Sequence, residues 1–308
     1  MIVCFDIGGS AIRGAVAASP EEIRPLSRRP TPLHDFEAFV GVLADLIAES
    51  GTQPERIALS IAGVVDPDSQ AGKVANIPCI DGRILSADLQ ARLGMPVLVA
   101  NDADCFALAE AGIGAGRGHR IVFGAIFGSG VGGGVVVNGR LINEAGGFAG
   151  EWGHGPVAAA FAGDPPVAIP AFACGCGQKG CIDAVGSARG MERLHEMLHG
   201  QRLESRAITQ AWEAGDEKAA RTIEILVDLV ASPLALAINI TGATIVPTGG
   251  GLSSSARLMA AIDVATRART LRRFDRPLVV QGLCPTLYPG IEPGLIGAAL
   301  LALGAGPQ

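Results

Sequence analysis

Glu151-Trp-Gly-His154 is followed, twenty residues on, by Cys174-Gly-Cys-Gly-Gln-Lys-Gly-Cys181. Three thiols within eight residues, with one imidazole upstream, make the four soft donors that a tetrahedral zinc ion prefers. Glycines between the cysteines let the backbone turn tightly enough for neighbouring thiolates to reach one ion. A disulfide is the competing reading. Against it, Cys4, Cys79, Cys105 and Cys284 each stand alone in apolar sequence, a pattern of reduced and buried thiols rather than of a secreted framework. His154, Cys174, Cys176 and Cys181 would close the coordination sphere, so the ion is expected to be structural, since catalysis at zinc needs an open position.

Glycine-rich turns supply a second kind of chemistry. An apolar run ends in Asp6, passes through Ile7, Gly8, Gly9 and Ser10, and resumes at Ile12–Ala18, which predicts a β-hairpin. The plan recurs where Ile121–Phe127 leads into Gly128-Ser129-Gly130-Val131-Gly132-Gly133-Gly134 and then Val135–Asn138. Backbone amides in such turns converge on phosphate oxygens, and Ser10 or Ser129 adds a hydroxyl donor to each. One such hairpin alone is weak evidence, because many are only tight turns. Two in similar settings suggest a duplicated α/β unit that clamps a polyphosphate between its halves. No Gly-Lys-Ser/Thr triplet follows either turn, and neither is followed by a helix, which excludes the Walker and dinucleotide fingerprints. A third run, Thr248-Gly249-Gly250-Gly251, follows strand-like Ala243–Pro247 and precedes a helix expected from Ser253. It suits contact with a nucleotide's sugar, base or α-phosphate, or is a simple strand-to-helix turn.

Asn101-Asp102 closes a short strand at Val97–Ala100 and opens a helix at Ala103–Ala111. Ligands of α/β sheets gather at the carboxyl ends of strands, so an aspartate there could accept a hydroxyl proton as phosphoryl transfer begins. Helix capping explains the pair equally well. Glu151 and His154, after Gly146, Gly147 and Gly150, are polar groups of the kind that hold sugar hydroxyls; Asn76 is an isolated loop amide.

Alternating strand and helix patterns must position these groups. Phe36–Ser50 is amphipathic, Arg56–Ile61 is strand-like, Lys218–Ile240 is a long apolar helix that Pro233 should kink or divide, and Gly294–Leu303 is a helix rich in Ala and Leu. Pro156–Phe172, with four prolines, is expected to be an ordered insertion. The alternation predicts α/β layers, and 308 residues suffice for two lobes with a cleft. Aromatic residues are only 4% against 49% hydrophobic, so the core is built mainly from Ala, Val, Ile and Leu. A net charge of −6 argues against a nucleic-acid partner, and the basic run Arg267–Arg276 is taken as a solvated helix face. No eighteen-residue apolar run and no basic leader occur, which predicts a soluble cytoplasmic protein without membrane contact.

Taken together, Asp6–Ser10, Asn101–Glu110, Gly128–Gly134, Glu151–His154 and Cys174–Cys181 resemble the ROK family of sugar kinases and repressors, in family order and over nearly the whole chain. The resemblance implies a duplicated actin-like, ribonuclease-H-like α/β fold with ATP in an interlobe cleft. The smaller lobe would be residues 1–117, with a C-terminal helix 291–306 packing back on it; the larger, 118–290, would carry the zinc. It makes Asp102 the catalytic base and sets Asp6 in the phosphate and magnesium region. It assigns Gly8, Gly9, Ser10, Gly128, Ser129, Gly130, Gly132, Gly133, Gly249, Gly250 and Gly251 to the nucleotide. Asn76, Asn101, Asp102, Glu151, His154 and Asp183 would meet the sugar. The implied reaction is ATP- and Mg²⁺-dependent phosphorylation of a hexose 6-hydroxyl by a homodimer with structural Zn²⁺. The Asn-Asp-Ala-x-Cys-Phe-Ala-Leu-x-Glu string and the long spacer before Cys174 resemble the bacterial N-acetyl-D-glucosamine kinases; glucokinase, N-acetylmannosamine kinase and fructokinase activities are alternatives. A silent sugar-binding regulator is the alternative of another class. A repressor would add an N-terminal DNA-binding module, whereas this chain starts on the first strand. Departures from the family pattern are Ser10 and Ala11 for Thr-Lys, Ser129 for threonine, Asp104 for asparagine, and Asp183 for a glutamate expected to reach the sugar.

Overall fold

The computed structural model describes residues 1–304. The chain forms two compact units, one of Met1–Arg120, Gly134–Ala149 and the segment from Leu283 on, the other of Ile121–Gly133 and Gly150–Gly282. In the first, β1 (Ile2–Ile7), β2 (Ala11–Ser19) and β3 (Glu22–Pro30) run as an antiparallel meander. β4 (Ile57–Ile61) and β5 (Val97–Asn101) extend it in parallel, giving the order β3-β2-β1-β4-β5. Strand β1 is central and covered on both faces, so it reads as an unbroken apolar run rather than an alternation. Strand β3 is the edge, and Arg24, Pro25, Arg28 and Pro30 keep it from pairing with another chain.

The two faces of this sheet are packed differently. Val3, Phe5 and Ile7 join Phe39, Leu43 and Leu46 of the helix Phe36–Glu49. Cys4, Ala15, Ala58 and Ala100 join Leu295, Ala298 and Ala299 of the helix Pro293–Leu303. Small residues on that side let backbones approach closely. A Cβ built on Gly297 would fall 1.9 Å from the carbonyl oxygen of Cys105, so only glycine allows the helices Pro293–Leu303 and Asp102–Gly112 to cross there. The C-terminal helix expected over 291–306 spans Pro293–Leu303, and positions 305 and 306 lie outside the described residues.

The second sheet repeats the plan. Its strands are β6 (Ile121–Phe127), β7 (Val131–Val137), β8 (Arg140–Leu141), β9 (Val246–Gly249) and β10 (Val279–Gln281), in the order β8-β7-β6-β9-β10. β9 is parallel to both β6 and β10. The recurring order, meander first and parallel strands after, is the duplication suggested by the two glycine hairpins. The second turn is shorter than its glycine run, because Gly132–Gly134 already belong to β7. Gly133 is small for packing rather than for turning: a Cβ there would lie 2.9 Å from the oxygens of Gly124 and Gly150 and from the Trp152 ring.

Three further expectations are corrected. Pro233 does not divide its helix, which runs unbroken over Glu217–Thr241. That helix is long and apolar enough to cross a membrane by length and composition, yet half of its most apolar window is buried, with Ile223, Leu226, Val230, Leu234 and Ile238 facing inward. The basic run is a loop rather than a helix face, since its helix ends at Arg267 and Arg269 reaches Asp228 at 2.5 Å. The helix expected from Ser253 starts as a single 3₁₀ turn, Gly251–Ser254, and becomes α-helical at Ala256 under a Ser255 cap. The proline-bearing insertion is ordered: it holds a small hairpin of Phe161–Ala162 and Val167–Ala168, and the Gly163 amide donates to Asp228 Oδ2 at 2.9 Å.

Candidate active site

In the first unit, β5 ends in Asn101 and the helix Asp102–Gly112 begins at once. Asn101 Oδ1 accepts from the amides of Ala103 (2.8 Å) and Asp104 (3.2 Å), and its Nδ2 donates to the Gly63 carbonyl at 2.9 Å. Asn101 therefore carries the helix cap, and capping does not account for the half-buried Asp102 beside it, whose Oδ1 accepts from the adjacent Ala103 amide at 2.9 Å. A carboxylate at this point lies at the positive end of the helix. Asp104, one turn in, is buried, and Asn143 Nδ2 donates to both its oxygens at 3.0 and 3.3 Å. Asn143 in turn clasps the backbone of Ala149, accepting from its amide at 3.2 Å and donating to its carbonyl at 2.8 Å.

The first glycine turn closes with the Gly8 amide donating to the Ala11 carbonyl at 3.0 Å, while Thr31 Oγ1 donates to the Gly8 carbonyl at 2.6 Å. Asn76 lies against this turn, its Cβ 3.4 Å from where a Gly9 Cβ would be, so the structure joins two residues that the sequence left apart. Asp6, at the end of β1, is largely buried. Ser60 Oγ donates to its Oδ1 at 3.0 Å and Arg13 stands 3.5 Å from its Oδ2. Burial pushes the Asp6 carboxyl above its usual range; the Ser60 hydrogen bond and the Arg13 charge pull the other way. Neither Ser60 nor Arg13 was singled out from the sequence. The period-two spacing of Ala11 and Arg13 along β2 was the signal that could have found the arginine.

In the second unit, Trp152 fixes the Glu151–His154 segment to the β6–β7 hairpin. Its indole Nε1 donates to the Gly132 carbonyl at 2.9 Å, and its ring meets Phe123 and Phe127 edge-on at 6.2 and 5.7 Å. The third glycine run joins the same hairpin: a Cβ on Gly250 would fall 2.5 Å from the Phe127 carbonyl. Gly128, Ser129, Gly130 and Gly249–Gly251 are thus one neighbourhood. Asp183 faces it too. Its Oδ1 accepts from the Val131 amide at 2.8 Å, and Oδ2 accepts from Cys174 Sγ at 3.4 Å.

One donor atom each from His154, Cys174, Cys176 and Cys181 lies within 4.8 Å of all the others. With zinc–sulfur bonds of about 2.3 Å and zinc–nitrogen bonds of about 2.05 Å, tetrahedral geometry puts two sulfurs about 3.8 Å apart and sulfur and nitrogen about 3.6 Å apart. The Cys176–Cys181 sulfur separation is 3.7 Å, and Cys174 Sγ lies 3.6 Å from His154 Nδ1. Those two separations match a tetrahedral zinc site, and the whole set lies close enough together for one ion. With Nδ1 turned to the sulfurs, Nε2 is left pointing at Glu151, 3.7 Å from its Oε2. Burial raises the Glu151 carboxyl; His154 opposes that shift and Asp183 adds to it.

Residues 2–305 match the sequence profile of the ROK family. The chain is 37% identical to the N-acetyl-D-glucosamine kinase of Citrobacter koseri, with 97% of this chain and 98% of that one aligned. It is 34% identical to an N-acetylgalactosamine kinase of Shewanella sp. (strain ANA-3), over 97% and 96% of the two chains. Among solved structures, the ROK glucokinase of Streptomyces griseus, in complex with glucose and AMPPNP, superposes with a TM-score of 0.76 at 26% identity over 99% of each chain. With both sheets built on one plan and the family signatures set along them, the chain belongs to the ROK family and has its two-domain, actin-like ATPase fold.

Proposed function

We propose that this protein transfers the γ-phosphoryl group of ATP to the 6-hydroxyl of an N-acetylhexosamine, N-acetyl-D-glucosamine first among them. The observation that carries this reading is Asp102 at the carboxyl end of β5, with the helix cap already supplied by Asn101. Asp102 accepts the proton of the sugar hydroxyl as its oxygen attacks the γ-phosphorus in line. Backbone amides of the Gly8–Ser10 and Gly128–Gly130 turns donate to the phosphate oxygens, and Gly249–Gly251 borders the adenosine side. Asn76, Asn101, Glu151 and His154 orient the sugar hydroxyls, His154 through Nε2.

Asp6 would help hold magnesium carried on the nucleotide, and that ion would supply charge neutralisation. Zinc would be held by His154, Cys174, Cys176 and Cys181 and supplies a cross-link that fixes the Glu151–His154 segment. A homodimer belongs to the same reading. Leu236, Ile240 and Leu271, exposed by 55%, 76% and 90%, support it as an apolar surface of the second unit. A cytoplasmic location fits seven unpaired cysteines and the use of ATP.

The Shewanella relative favours a second reading, in which the C4 epimer N-acetylgalactosamine is the substrate. Coupled ADP release over N-acetylglucosamine, N-acetylgalactosamine, N-acetylmannosamine, glucose and fructose decides between them by kcat/KM. Asp102→Asn should lower kcat by about 10²- to 10⁴-fold while sugar binding persists. ATP consumption with none of the sugars would overturn the kinase reading in favour of a silent sugar-binding regulator.

A further inference from the structure

The turn Gly8–Ala11 that receives phosphate in the proposed reaction contains no cation, although a nucleotide brings three or four negative charges to it. A cation nevertheless stands at its side. Asp6 on β1 is paired in register with Arg13 on β2, so the two side chains emerge directly opposite one another on one face of the sheet. Ala11 and Arg13 are two apart on a regular stretch of β2, which puts them on that same face. The Arg13 guanidinium lies 3.5 Å from Asp6 Oδ2 through one nitrogen and 3.5 Å from Glu292 Oε1 through another. Glu292 is the residue that precedes the helix Pro293–Leu303.

Two details mark this as more than a fixed structural clamp. Charge-assisted N–H···O bonds run about 2.7–2.9 Å, and both Arg13 contacts are longer, so the fork is attracted but not locked. The Arg13 side chain keeps 35% of its surface exposed, and Glu292 keeps 48%, so an incoming anion can reach the donors. Arginine offers five N–H donors in a planar fork that matches phosphate oxygens in pairs. A guanidinium parked between two carboxylates near a phosphate turn has an exchange open to it, since a dianionic phosphate is a stronger partner than a partly solvated carboxylate.

We propose that Arg13 is the cation of the nucleotide-phosphate site, parked on Asp6 and Glu292 in the free protein and moved onto phosphate oxygens when a nucleotide binds. This rests on the reading of Gly8–Ser10 as a phosphate turn. It assigns Glu292 the role of a competitor for Arg13, whereas a structural clamp would make the two residues partners of equal worth.

Calorimetric titration of the full chain with ADP, with and without Mg²⁺ and without sugar, separates these cases. Arg13→Gln should weaken ADP by about ten- to a hundredfold, Arg13→Lys by less, and raise the KM for ATP without moving that for sugar. Glu292→Gln should leave ADP affinity intact or tighten it, although both neutral variants lose the same ion pair. Equal ADP affinity in the wild type and Arg13→Gln overturns the proposal, as does equal weakening by Arg13→Gln and Glu292→Gln. If the wild type binds no nucleotide, the reading of the turn fails first, and the result is distinct from a nucleotide-binding protein indifferent to Arg13. Melting temperatures of each variant exclude simple unfolding as the cause.

Discussion

Asp183 offers a sharp test of how the Gly128–Gly130 turn, proposed to receive phosphate, is held. Replacing it with Ala removes the acceptor for the Val131 amide, a 2.8 Å bond to a residue only 4% exposed. A hydrogen bond to a charged acceptor contributes about 1.5–3 kcal/mol, and a buried donor left without a partner costs about 1–3 kcal/mol. Taking about 2 kcal/mol for the loss and about 2–4 °C of melting temperature per kcal/mol for a unit of this size gives a fall of about 4–8 °C. Because Val131 follows the Gly128–Gly130 turn directly, the kinetic defect should fall on ATP, with KM for ATP raised and KM for sugar nearly unchanged. Asp183→Asn keeps an accepting oxygen and should lose about half as much. Asp183→Glu should not substitute: Oδ1 already lies 2.5 Å from the position of a Gly130 Cβ, so a longer side chain cannot put its carboxylate in the same place. Steady-state kinetics with each substrate varied in turn, beside thermal melts, makes the measurement. A rise in sugar KM of tenfold or more with ATP KM unchanged would refute the reasoning and return Asp183 to the sugar.

Metal analysis of the purified protein should find about one zinc per chain, and its complete removal should raise the sugar KM by loosening the Glu151–His154 segment; an unaltered sugar KM in zinc-free protein would contradict that scaffold role. Gly297→Ala places a methyl 1.9 Å from the Cys105 carbonyl and should lower the melting temperature by about 10 °C or more or abolish soluble expression, whereas Gly41→Ala, inside the helix Phe36–Glu49 of the first unit, meets no atom within 4 Å and should be tolerated. Asp6→Asn should lower turnover yet raise stability at neutral pH. Since burial raises the Asp6 carboxyl in the folded state, its stabilising share is complete below the ordinary carboxylate range and is lost as pH rises through the higher folded value. The stability gap between Asp6→Asn and wild type, read from denaturant melts, should therefore narrow as pH falls, and a gap independent of pH would exclude that account.

Sequence reading served best where backbone geometry restricts residue choice. Glycine runs marked both hairpins, Asn101-Asp102 marked a strand end and a helix start, and the Cys-x-Cys segment gathered its four donors. It served less well where a residue type has two uses. The glycines at 132–134 look like turn residues but sit inside β7, because small size was needed for packing and not for turning. Pro233 looks like a helix breaker, yet the inward-facing Ile and Leu residues on either side hold the helix together across the missing amide. Strand β3 left almost no trace, since an edge strand carrying three arginines and two prolines has no apolar alternation. Side-chain direction was the least legible quantity of all. The hydrogen bond from the Val131 amide to Asp183 joins segments 52 residues apart, and the facing of Arg13 and Asp6 depends on the register of their hairpin, which composition does not encode.

The chain has just two tryptophans, and their settings differ in a useful way. Trp152 is bonded to Gly132 and wedged against Phe123 and Phe127, at the junction of the β6–β7 hairpin and the Glu151–His154 segment, while Trp212 lies under the Arg257 guanidinium at 4.1 Å. Trp212→Phe would leave a single tryptophan, excitable apart from Tyr288, whose emission reports on the hairpin and the Glu151–His154 segment together. The protein thus carries, at the place where the proposed phosphate and sugar contacts meet, an optical reporter that needs no label.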